Sequence, residues 1–173
     1  MNVKRIFFSE HSTGFGTMFL AASGKGLAKI SFGSDSRAGF FSWLEDNFPG
    51  YLYEKNDART LKYVRKIGAF IEGRIKKIDI PIDLKVSGFQ GKVLMELKKV
   101  PYGEVVTYGE LAARAGNPRA CRAAGTACRK NPLPFVIPCH RAIAAGGRLG
   151  GYGGGEKLKR KLLENEGMTG LKD

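Results

Sequence analysis

Between Thr107 and Pro132 the chain carries the pattern that most restricts what it can fold into. Thr107 is placed to cap a short helix over residues 108–115, and Gly116 breaks it. Asn117-Pro118 predicts a restart, with Asn as cap and Pro in the first turn. A second helix then runs over 119–130 and stops at Asn131-Pro132. Two short helices joined by a glycine-containing turn make a helix-turn-helix. Upstream, Ser87 can cap a helix over 88–99 that buries Phe89, Val93, Leu94 and Leu97, and Pro101-Tyr102-Gly103 turns the chain.

The first half has a different texture. Residues 3–8, 15–22 and 26–32 read as strands, the last two joined by the hairpin-type turn Ser23-Gly24-Lys25-Gly26. A helix follows over 36–48, ended by Pro49-Gly50. Another over 57–72 has an apolar stripe of Leu61, Val64, Ile67, Phe70 and Ile71. Pro81 makes residues 78–84 an edge strand or a linker. His11 stands alone and reads as a surface residue. The expectation is an α+β chain: a small N-terminal α/β domain over 1–84, then a mainly helical C-terminal domain over 85–173 with a winged-helix-like helix-turn-helix.

The net charge of +13 is uneven, because residues 111–163 hold eleven basic residues and one acid, Glu156. Such a field favours a polyanion, of which nucleic acid is the commonest. On a helical plot of 119–130, Arg122 and Arg129 fall within about 20° of each other, with Arg119 about 60–80° away. Ala120, Ala123, Ala124 and Ala127 fill another sector, and Gly125 and Thr126 are also small. A helix this slim can approach a surface closely and anchor to phosphate. A tightly packed alanine-rich helix with solvated arginines would read the same, but beside a helix-turn-helix nucleic-acid docking is the better reading.

No apolar run reaches the length of a membrane span, and residues 1–6 lack a secretory segment, so a cytoplasmic location is expected. Three cysteines is an odd number for a disulfide framework, and Cys121 and Cys128, on one helix, stand too far apart to bridge. No paired ligand spacing points to zinc, and only two histidines are present.

The chemistry-bearing stretch is Pro138-Cys139-His140-Arg141, which closes the apolar run Leu133-Pro134-Phe135-Val136-Ile137. A cysteine nucleophile reacts as thiolate, which a neighbouring imidazole or cation favours. A lone buried cysteine is also an ordinary small hydrophobe. In a closing helix over 156–166, Leu158, Leu162 and Leu163 span the apolar face, and Glu166 projects from its middle. A carboxylate there needs a partner, and His140 is the obvious one, giving a Cys–His–Glu set; Lys159 lies near the same sector. Neighbours in extended chain point to opposite faces, so either the backbone turns after Pro138 or a water bridges thiol and imidazole.

With these residues assembled, the chain resembles the O6-alkylguanine-DNA alkyltransferases, the methylated-DNA–protein-cysteine methyltransferases. The matching block spans 89–167. It contains Gly103-Glu104-Val105-Val106-Thr107-Tyr108-Gly109-Glu110-Leu111-Ala112, Gly116-Asn117-Pro118-Arg119-Ala120, Asn131-Pro132, Ile137-Pro138-Cys139-His140-Arg141, Gly150-Gly151-Tyr152 and Glu166-Gly167. The Ile-Pro-Cys-His-Arg string is highly specific to that family. The first half matches in expected architecture only.

The resemblance implies a monomeric protein that binds duplex DNA in the minor groove, flips O6-alkylguanine outward and takes the alkyl group irreversibly onto Cys139. His140 would accept the thiol proton through water, and Glu166 would hold the imidazolium. Tyr108 would help rotate the nucleotide and donate a proton to the ring, and Arg122 would fill the gap in the base stack. Arg119, Arg129, Ala123 and Ala124 would contact DNA. Tyr152, Gly153, Gly150, Ala142 and Cys128 would line the pocket, Cys128 by packing. Asn131 and Arg141 would act as hinge and brace. No cofactor or metal is implied. Gly153 stands where relatives often have serine, which makes a roomier pocket, and the zinc-binding Cys/His set of some relatives is missing. Rival readings remain open: a lesion-binding protein without transfer, a helix-turn-helix regulator that leaves Cys139 idle, or a cysteine hydrolase that needs no DNA.

Overall fold

A computed structural model describes residues 3–33 and 35–172. The first half is a four-stranded sheet in the order β3-β2-β1-β4. Its strands are β1 (Arg5–Thr13), β2 (Gly16–Ser23), β3 (Gly26–Ser31) and β4 (Leu52–Lys55). β1 and β2, and β2 and β3, pair antiparallel, while β4 runs parallel to β1. The alternation on β2 sorts its side chains between two cores. Phe19 and Ala21 face helix α1 (Arg37–Asn47) with Phe40, Leu44 and Phe48. Met18, Leu20 and Ala22 face the opposite way, with Ile67 and Phe70 of helix α2 (Asp57–Ile71).

That second core continues without a break into the C-terminal half. It takes in Val93, Leu94 and Leu97 of α3 (Gly88–Lys98) and Leu111 and Ala112 of α4 (Tyr108–Arg114). It goes on through Ala124 and Ala127 of α5 (Cys121–Arg129) to Leu158 and Leu162 of α6 (Glu156–Asn165). Two backbone contacts add to it. The Ile30 N–H on β3 donates to Pro132 O (2.8 Å), and the segment around Pro81 lies along β3, with Leu27 N–H to Pro81 O (2.9 Å) and Asp83 N–H to Leu27 O (2.8 Å). The free edge of β3 is thereby covered. Gly26 is required for this approach: its φ is +143°, and a Cβ there would lie 2.3 Å from Pro81 O. Among the described residues no helix is long and apolar enough to cross a membrane.

The first strand is longer than its composition suggests, because residues 9–13 of β1 pair with the start of β2 through the turn at Gly14-Phe15. β4 has no apolar pattern; it is held by its ladder to β1, a long-range contact. Val106–Thr107 (β5) and Ala142–Ile143 (β6) form a further two-stranded parallel pair that joins the helix-turn-helix to the segment after Cys139.

The helix-turn-helix differs from expectation at its joint. α5 begins at Cys121, and residues 117–120 form a turn in which Ala120 N–H donates to Asn117 O (3.0 Å). Asn117 is already committed to ending α4. Its N–H donates to Ala112 O and that of Gly116, with φ +89°, to Ala113 O, both at 2.9 Å. Arg119 therefore lies in the turn, not on the helix. At the other end Thr107 forms a capping box with Glu110. Its hydroxyl accepts from Glu110 N–H (3.2 Å), and its own N–H donates to Glu110 Oε2 (2.7 Å). This cap places Tyr108 as the first residue of α4. Thr107→Ala is expected to lower unfolding free energy by about 1 kcal/mol, read from urea titration.

Candidate active site

The chain between α5 and Cys139 is buried and closed on itself. The Asn131 side-chain amide donates to Ile137 O (2.8 Å), and its Oδ1 accepts from Leu133 N–H (3.0 Å). Phe135 takes a left-handed φ of +70°, costly for a residue with a Cβ, and its ring packs tilted against Phe32 at 4.9 Å between centroids. After Pro138 the backbone winds into a 3-10 turn, Cys139–Arg141, with Arg141 N–H donating to Pro138 O (2.9 Å). The backbone thus turns, the first of the two expected alternatives. At three residues per turn, Cys139, His140 and Arg141 point in three directions instead of alternating.

His140 and Arg141 converge on one carboxylate. Glu166, at the end of α6, accepts from His140 Nε2 at 2.8 Å on Oε1. It also accepts from Arg141 Nε at 2.9 Å on Oε2, from Arg141 Nη2 at 3.0 Å on Oε1, and from the Gly103 N–H at 3.1 Å. Arg141 Nη1 also donates to Val100 O (2.7 Å). Burial pushes the Glu166 carboxyl up, but the bonds from His140 and Arg141 outweigh it and hold the group at about 2. Glu166 therefore only accepts, so the proton of a neutral His140 sits on Nε2 and Nδ1 carries the lone pair. Burial lowers the His140 pKa against the pull of Glu166 and favours that neutral form. Nδ1 is buried without a hydrogen-bond partner, and so is the Tyr152 hydroxyl. Phe70 from α2 covers the imidazole, 5.8 Å away between rings.

Cys139 opens into a cavity of about 50 Å³. Cys128, Asn131, Pro134, Tyr152 and Gly153 line it from the C-terminal half, and Ile30, Phe32 and Asp35 from the sheet domain. Burial pushes the thiol up to about 11; the Asn131 amide, the Lys159 charge and nearby backbone N–H groups pull the other way. At neutral pH the resting group is a thiol, and a reaction needs a base at hand. Asp35, Arg129, Tyr152 and Gly153 also border an outer groove of about 820 Å³, with Tyr108, Arg122, Gly125 and Thr126. The outer groove and the cysteine cavity share the first four of these lining residues. Tyr108 borders the groove, its hydroxyl donating to Gly151 O (3.2 Å) and its ring against Gly150, where a Cβ would meet Cε2 at 3.1 Å. Burial lifts the Tyr108 pKa to about 12, so it stays protonated and able to donate.

Arg122, Ala123 and Arg129 are exposed on α5, and Thr126 joins that face. Ala124, expected to contact DNA, is wholly buried against the core, because the inward face of α5 meets α3 and α4. Ala142, expected in the pocket, is buried in β6 and lines neither space. The three cysteines are free thiols, with Cys121 exposed and Cys128 buried. Among the described residues no group of three or more metal-ligating side chains occurs. Sequence reasoning missed Ile30, Phe32, Asp35 and Phe70, which reach the site only through tertiary packing. No local pattern marks them.

A family model described as the DNA-binding domain of 6-O-methylguanine DNA methyltransferase matches residues 88–168. A methylated-DNA–protein-cysteine methyltransferase of Methanosarcina acetivorans is 34% identical over 164 residues, 94% of this chain and 99% of its own length. Among solved structures, a Mycobacterium tuberculosis protein of this kind in complex with DNA superposes with a TM-score of 0.78 at 32% identity, covering 92% of each chain. An O6-methylguanine-DNA methyltransferase of Pyrococcus kodakaraensis superposes at 0.63 and 26% identity over 94% of this chain and 99% of its own.

The folded pKa values of His140 and Glu166 both lie below their ordinary values of about 6.5 and 4.3. Their stabilisation is present above those values and is lost on acidification, first through the imidazole and then as Glu166 is forced to protonate toward pH 2. Urea midpoints are expected to fall below about pH 6.5 and more steeply below about 4.3. Glu166→Gln, which leaves Arg141 without its counter-charge, is expected to cost about 3–5 kcal/mol at neutral pH.

Proposed function

The chain belongs to the methylated-DNA–protein-cysteine methyltransferase family, and from that premise we propose that it repairs O6-alkylguanine in duplex DNA by moving the alkyl group onto Cys139. The observation that carries this reading is the cavity in which Cys139 lies behind the groove bordered by Arg122, Arg129 and Tyr108. A base stacked in a duplex cannot reach a buried thiol, whereas a flipped nucleotide entering from the groove can. Arg122 and Arg129 anchor the backbone and the gap, and the small residues of α5 allow close approach in the minor groove. Arg119, on the preceding turn, adds a phosphate contact.

The chemistry follows from the protonation states. The Cys139 thiol gives its proton to His140 Nδ1 through water, and the imidazolium so formed is stabilised by Glu166. The thiolate attacks the alkyl carbon: the S–C bond forms, the C–O6 bond breaks, and its electrons return to the purine ring. Tyr108, still protonated at neutral pH, donates to that ring, and the imidazolium proton returns to Tyr108 through water. The net result is thiol plus alkylguanine giving thioether plus guanine. The thioether has no leaving path, so each molecule acts once. Arg141 and Asn131 hold the turn that aims Cys139, and Tyr152, Gly150, Gly153 and Cys128 shape the cavity. The reading needs no cofactor and places the protein as a monomer in the cytoplasm.

Intact mass after mixing with a duplex carrying one O6-methylguanine tests this. A single methyl-for-hydrogen gain, mapped to Cys139 and saturating at one per molecule, is expected. Binding without any mass change would replace transfer with lesion sensing. Arg122→Ala is expected to slow transfer from duplex DNA by about tenfold or more, with a much smaller deficit on free O6-methylguanine, since only the duplex requires unstacking.

A further inference from the structure

Among the described residues Asp35 is the only acid that lines the cysteine cavity or the outer groove, and it lines both. It is held from the sheet side. Its N–H donates to Phe32 O at 3.4 Å, and the next residue, Ser36, caps α1 by accepting from Gly39 N–H at 3.0 Å. The carboxylate itself is uncommitted. It forms no ion pair among the described residues, not even with Arg129, the other charged side chain that lines both spaces. An acid at the mouth of a groove suited to phosphate works against DNA unless it takes up a hydrogen-bond donor there.

A second uncommitted group belongs to the same cavity. The Tyr152 hydroxyl is buried without a hydrogen-bond partner, and burial pushes its pKa well above the ordinary value, so it stays protonated and able to donate. The cavity thus offers one free acceptor and one free donor. The chemistry of O6-alkylguanine matches. Alkylation at O6 removes the N1 proton, so O6, N1, N3 and N7 are all acceptors and the exocyclic N2 amine is the one donor left on the base. A carboxylate repels the four acceptors and gains a bond only from the amine. With the alkyl carbon at Cys139 and the sugar left in the groove, the purine spans both spaces, and the residues that line both flank it.

We infer that Asp35 is a specificity-determining residue: its carboxylate accepts from the N2 amine of the flipped O6-alkylguanine and selects that base over alkylated bases that lack the amine. The inference deepens the alkyltransferase reading and rests on it. It gives the sheet domain a part in base recognition as well as in closing the cavity. O6-alkylhypoxanthine, which differs only by the missing amine, would leave the carboxylate facing a C–H bond, and O4-alkylthymine likewise brings no donor.

The test compares rates of methyl transfer to Cys139 from two duplexes of one sequence, one carrying O6-methylguanine and the other O6-methylhypoxanthine. Wild type, Asp35→Ala and Asp35→Asn are measured on each, with thermal melting to verify folding, which an exposed residue leaves intact. Because each variant is referred to wild type on the same duplex, differences in how readily the two bases flip cancel. Asp35→Ala is expected to slow transfer from O6-methylguanine about tenfold or more and to change transfer from O6-methylhypoxanthine less than about twofold. Asp35→Asn keeps an acceptor oxygen and is expected to retain part of the preference. Equal slowing on both duplexes, or none on either, overturns the inference. A wild-type chain that takes no methyl group from either duplex overturns the alkyltransferase reading itself, an outcome distinct from an unchanged preference.

Discussion

One carboxylate, Glu166, ties the site together. Its two oxygens receive the His140 imidazole, the Arg141 guanidinium and the Gly103 N–H, which come from the nucleophile turn and from the turn after α3. Charged, hydrogen-bonded partners are what make its burial tolerable. Because Arg141 compensates the carboxylate, the pair holds His140 in one tautomer without loading the site with net negative charge. That matters beside a group that must become an anion. The same contacts fix the end of α6, whose preceding turns carry Leu162 and Leu163 into the core and Lys159 onto the Ala142 and Leu149 carbonyls.

The N-terminal sheet shares in building the site. Phe70 covers the imidazole, Phe32 braces the left-handed Phe135, and Ile30, Phe32 and Asp35 close one wall of the cysteine cavity. The approach is tight on both sides. A Cβ on Gly33 would lie 3.1 Å from Gly153 O, and one on Gly154 would lie 2.2 Å from the Phe32 ring. Glycines in this loop thus allow the two halves of the chain to pack closely. Gly153 places no side chain where the loop meets Gly33.

Opposed electrostatic demands are separated in space. The outer groove presents arginines on a helix of small residues, suited to phosphate and to close approach. Burial beside the inner cavity raises the thiol pKa. Selectivity benefits from such an arrangement, since a protected thiol is poorly reactive toward stray electrophiles until a base acts on it.

Sequence alone determined the helix-turn-helix, the arginine face of α5, the cysteine and histidine, and the need of Glu166 for a partner. These rest on caps, breakers and helical period, which are local and survive without knowledge of the fold. It misjudged the start of α5, because Asn117 had two possible employers and the capture of its N–H by Ala112 is decided by the α4 terminus. The resemblance implied DNA contact for Ala124, whereas the fold turns it into the core; a helical plot gives angles but not which neighbour lies at each angle. Only the tertiary structure decided that β4 pairs with β1 and that Phe70, Phe32 and Asp35 reach the site. Those facts depend on residues far apart in sequence brought together by a shared core, and no local pattern encodes such meetings.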